Sequence, residues 1–71
     1  MVKMNETEQK LTGHKIWDLE IQHKDLDQAI TALDATGNVD QLLIRRMKLR
    51  KLSLKDQITR LKSKLIPDLN A

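Results

Sequence analysis

Two mostly apolar runs, each spaced alternately by three and four residues, flank a central Thr36-Gly37-Asn38. The first run is Ile16, Leu19, His23, Leu26, Ile30 and Leu33; the second is Ile44, Met47, Lys51, Leu54, Ile58, Leu61 and Leu65. Such spacing places side chains at the a and d positions of a heptad, on one stripe of an α-helix that must pack against another. Three connecting residues force an antiparallel pair. The expected layers are Leu33 on Ile44, Ile30 on Met47, Leu26 on Lys51, His23 on Leu54, Leu19 on Ile58 and Ile16 on Leu61.

The breakers bound these helices. Gly37 can take φ > 0 and end a helix. Asn38 can cap the next one, with Gln41 three residues on completing a capping-box pattern. Pro67 pushes Ile66 towards extended geometry and stops the second helix near Lys64 or Leu65. Asn5 with Glu8 forms a weaker cap pair at the front. Gly13, inside the first pattern, costs about 1 kcal/mol relative to Ala and lets the first turns fray. The reading is all-α: an antiparallel, coiled-coil-like hairpin forming one domain over 1–71, with helix 1 at about 6–35 and helix 2 at about 39–65.

Size makes a lone hairpin marginal. The chain has 71 residues, with one Trp, no Phe or Tyr and no Cys, so neither a thick aromatic core nor a disulfide supplements the seam. Oligomerisation remains as the supplement. No apolar stretch approaches the ~20 residues of a membrane span. The segment Met1-Val2-Lys3-Met4-Asn5-Glu6 lacks the apolar core of a secretory signal, so a cytoplasmic location is expected.

Charge supports the pairing. Over 6–35 there are three Lys and seven acids, a net −4; over 39–65 there are nine Lys or Arg and two Asp, a net +7. Glu20, Asp27 and Asp34 fall at e positions in helix 1, and Lys48, Lys55 and Lys62 at e in helix 2. In an antiparallel pair these flanks face each other, so Asp27 is expected beside Lys48 or Lys51 and Glu20 beside Lys55. Each exposed pair contributes only ~0–1 kcal/mol, but the pattern disfavours two copies of helix 2 side by side.

Apolar residues remain off the seam. Trp17 and Ile21 lie one turn apart on helix 1, and Leu42, Leu49 and Leu52 form a stripe on helix 2. Stripes on both helices imply a further interface: a homodimer closing a four-helix bundle, or a docking face for another protein.

Candidate chemistry is sparse. His23 and Asp27 are one turn apart, with Lys51 approaching from helix 2. They can serve as a proton-transfer pair, or as a polar cluster of His23, Asp27, Lys48, Lys51 and Lys55 that fixes register. The second reading is favoured, because two helices enclose no pocket. His14 and His23 point to different sides, no third ligand has metal-site spacing, no phosphate-cradling loop is present and Ser53 lacks a nearby His base. Neither catalysis nor a cofactor nor a small-molecule substrate is expected. Arg45, Arg46 and Arg50 form a modest basic patch that could neutralise phosphates. No aromatic ring accompanies it for base stacking, and a membrane-surface role fits poorly because basic and apolar faces are not opposed.

His23-Lys24-Asp25-Leu26-Asp27-Gln28-Ala29-Ile30 and the run MKLRKLSLKDQI from Met47 to Ile58 resemble the YdcH-like family of small, functionally uncharacterised bacterial proteins. The likeness covers about residues 16–66 and rests on both blocks at the right separation. Its pattern singles out His23, Leu26, Asp27, Lys51, Leu52, Leu54, Lys55 and Asp56. Leu49 stands where the pattern favours Lys, which weakens the basic surface, and Met47 replaces Leu. The resemblance implies a helical hairpin but no activity, substrate or partner.

The sequence thus reads as a cytoplasmic, non-enzymatic hairpin that acts as a self-association or protein-interaction module, with itself as the expected partner and another protein as the other candidate. Nucleic-acid binding through helix 2 is the alternative.

Overall fold

The computed structural model describes residues 4–37 and 40–65. All the regular structure among them is helical: α1 spans Glu6–Ala35 and α2 spans Gln41–Leu65. The helices pack against each other along the seam. At 1.5 Å per residue, α1 is about 45 Å long.

Helix α1 begins where the sequence places its cap. The Glu8 N–H donates to the Asn5 side-chain carbonyl at 2.8 Å, satisfying one of the free donors of the first turn. Its other end closes on Gly37, whose φ of 70° only glycine adopts without cost. The Thr36 N–H donates to Ala32 O at 3.1 Å and the Gly37 N–H to Asp34 O at 3.2 Å, which occupies carbonyls left open by the last turn.

The start of α2 differs from expectation. The helix opens at Gln41 rather than near 39, and Asp40 supplies the cap, its carboxylate accepting from the Leu43 N–H at 3.0 Å. A carboxylate there also meets the positive end of the helix dipole. Asn38, the expected cap, and the stop signal at Ile66-Pro67 lie outside the described residues.

Every expected seam position is at least partly buried. Ile16, Leu19, Leu54 and Ile58 form one core cluster, with Leu26, Leu61 and Leu65 packed on it. Ile30 and Ile44 are buried nearer the turn, while Leu33, Met47, His23 and Lys51 are half-buried.

The two glycines give opposite predictions. An added Cβ meets nothing within 4 Å at either, so only backbone terms decide. Gly13→Ala lies inside α1 and should stabilise the hairpin by about 1 kcal/mol. Gly37→Ala must hold an L-residue at positive φ and should destabilise it by about 1–2 kcal/mol. Thermal melts of the two variants should move apart; a shift in the same direction would refute the turn geometry.

Candidate functional site

Among the described residues, two ion pairs cross the seam. The Lys51 ammonium donates to Asp27 Oδ1 at 2.5 Å, and Lys62 Nζ lies 2.9 Å from Glu20 Oε1. The first fixes the register, because it sets residue 51 beside 27, one position from the expected Leu26–Lys51 layer. The second corrects an expectation: Glu20 pairs with Lys62 and not with Lys55. The reason is side-chain direction. Helical side chains lean towards their own N-terminus. In an antiparallel pair Lys62 therefore leans towards the turn and Glu20 away from it, so they converge from different levels. Lys55 starts about two residues nearer the turn than the position level with Glu20 and leans still further towards the turn.

By the same rule Lys48 leans away from Asp27. Among the described residues no ion pair holds Lys48 or Lys55. Of the expected polar cluster, the structure joins Asp27 to Lys51 and brings the charge of His23 to bear on Asp27. The Lys51 ammonium, through its hydrogen bond and then its charge, holds the Asp27 carboxyl below the usual aspartate range; slight burial opposes this and His23 adds to it. A carboxylate held ionised in this way is a poor proton acceptor near neutrality.

The cluster is open to water, with 55% of the Asp27 side chain exposed, so solvent screens the pair. Its pH dependence has a definite sign. A carboxyl whose value is lowered on folding stabilises the fold above its unfolded value and loses that contribution as pH falls through the folded one. The stability gap between the native chain and Asp27→Asn should be constant above about pH 4, the ordinary aspartate value, and shrink below it. Parallel melting curves down to acid pH would remove the pair from the stability balance.

No described group of three or more His, Cys, Asp or Glu is placed to hold a metal, and no described helix is long and apolar enough to cross a membrane. No described polar side chain is buried.

The outer surface is more distinctive. Trp17 is 66% exposed and Ile21 38%; Leu42, Leu49 and Leu52 are 62%, 57% and 66% exposed. Leu11 and Leu43 are exposed too. Leu11 was missed as a surface candidate, although its heptad position, c, already lies off the seam. Arg45, Arg46 and Arg50 are exposed and in no ion pair among the described residues. Arg60 is held instead by Asp56 one turn away, at 3.0 Å.

Together these features define a small helical-hairpin protein with a polar register pair across its seam and uncovered apolar side chains on its outer faces. Residues 18–62 match the family described as protein of unknown function, DUF465, and the chain belongs to that family, which includes YdcH-like small proteins. The matched segment contains both cross-helix ion pairs. No curated protein and no solved structure gave a match.

Proposed function

We propose that this hairpin is a non-catalytic interaction module of the cytoplasm, which self-associates to close a four-helix bundle and engages another protein with the surface left uncovered. The observation that carries this reading is the set of large apolar side chains outside the seam, led by Trp17, Leu42, Leu49 and Leu52, each more than half exposed. One two-helix seam buries little apolar area for its ordering entropy. A second copy adds area without adding chain.

The test is mass action. An association that stabilises the fold makes the melting temperature rise with protein concentration. The expected result is a dimer by sedimentation at ~100 μM, with a melting temperature that falls on dilution. A monomer at that concentration with an unchanging melting point would exclude self-association.

A second reading, nucleic-acid binding, draws support from Arg45, Arg46 and Arg50, which enter no ion pair among the described residues. Salt separates the two. Contacts through Leu and Trp survive ~0.5 M salt, whereas phosphate contacts weaken steeply as counterions return.

A further inference from the structure

From Leu42 to Lys55, α2 carries six cations (Arg45, Arg46, Lys48, Arg50, Lys51 and Lys55) and no acid. Only Lys51 is neutralised by an ion pair among the described residues. The same turns expose Leu42, Leu49 and Leu52. Leu42, Arg45, Arg46, Leu49 and Leu52 follow one another at i, i+3, i+4, i+7 and i+10, so they share the side of α2 turned away from the buried Ile44 and Leu54. Arginines and leucines are therefore interspersed on one surface, with Arg45 and Arg46 between Leu42 and Leu49.

That mixture of charged and apolar side chains selects among partners. A phosphate backbone would satisfy the arginines and leave the leucines in water. An anionic bilayer favours leucines on one face with cations at its margins, whereas here Arg45 and Arg46 stand between Leu42 and Leu49. A second α2 would set cations against cations. The outward face of α1 offers no carboxylate excess, because its Asp18 and Asp25 are offset by Lys10 and Lys24. What fits is a surface with carboxylates interspersed among apolar side chains, a complement in charge and in greasiness at once.

We propose that residues 42–55 of α2 form a docking face for an acidic amphipathic helix of a different protein. This rests on the interaction-module reading and assigns it a partner chemistry. Trp17 and Ile21 on α1 are then left to self-association.

The test uses the full chain and a labelled synthetic peptide of about 18 residues, long enough to hold a helix, with leucines on one stripe and glutamates between them. The comparison probes are an oligoglutamate of equal charge, a single-stranded RNA and phosphatidylglycerol vesicles. The amphipathic peptide should bind about tenfold more tightly than oligoglutamate, the ratio expected from covering one or two leucines. Leu49→Ser should erase that preference. Arg46→Gln should weaken both peptides and flatten their salt dependence. Leu49 and Arg46 are exposed, and unchanged helicity at 222 nm would show that both variants fold. Equal binding of the two peptides, or of neither, would overturn the proposal, as would tighter binding of the RNA or the vesicles. Sedimentation of the same samples separates the two ideas. A chain that self-associates but ignores the peptide loses only the docking proposal; one that does neither loses the interaction-module reading as well.

Discussion

Leu54→Ala should leave most of the chain unfolded at low protein concentration. Leu54 is 3% exposed and sits in the core cluster with Ile16, Leu19 and Ile58. Truncating a buried leucine costs about 2–5 kcal/mol, from lost transfer energy and from the cavity left behind. Folded domains hold roughly 0.05–0.15 kcal/mol per residue, so for a chain of this length the loss is of the order of the whole stability. The seam has no second layer to collapse into the gap. Leu42→Ala is the matched control: Leu42 is 62% exposed, and surface changes usually stay within about 0.5 kcal/mol. Circular dichroism at 222 nm should show loss of helix for the first variant and almost none for the second. A cooperative melt retained by Leu54→Ala at every concentration would mean that the seam is not what holds the hairpin together.

Trp17→Glu should abolish self-association and preserve the helices. Trp17 is the chain's one aromatic residue, and its neighbour one turn on, Ile21, is also apolar and exposed. An aromatic anchor at the centre of an interface typically contributes 2 kcal/mol or more, about a thirtyfold change in dissociation constant. A carboxylate at that site adds a desolvation cost of its own. Sedimentation should show a monomer at concentrations where the native chain is a dimer, with the far-ultraviolet spectrum of the concentrated variant close to native. Tryptophan emission gives an independent reading: blue-shifted in the associated chain, moving red on dilution. Emission already water-like at ~100 μM, where a competent interface should be populated, would exclude Trp17 as an interface residue.

The two experiments address different links between sequence and behaviour. Leu54 acts within one chain, through helix–helix packing, and its loss should be felt at any dilution. Trp17 is proposed to act between chains, so its effect should vanish in the monomer.

Periodicity alone determined the hairpin. A three–four alternation can be buried on one helical face only, and Gly37 is the one glycine between the two runs, a residue at which a backbone turns at positive φ without strain. Every seam residue from Ile16 to Leu65 could therefore be named before any coordinate was known. The Asn5 cap was equally legible, because it depends on three consecutive backbone groups. The α2 cap was not: Thr36 to Asp40 offers several competent side chains, and the described structure places Asp40's carboxylate on the Leu43 N–H. The ion pairs needed the tertiary structure most. Heptad letters place Glu20, Lys55 and Lys62 on one flank, but they carry no information about how far a side chain leans along its helix. That lean, opposite in direction on antiparallel partners, joined Glu20 to Lys62 and left Lys55 without an ion pair among the described residues.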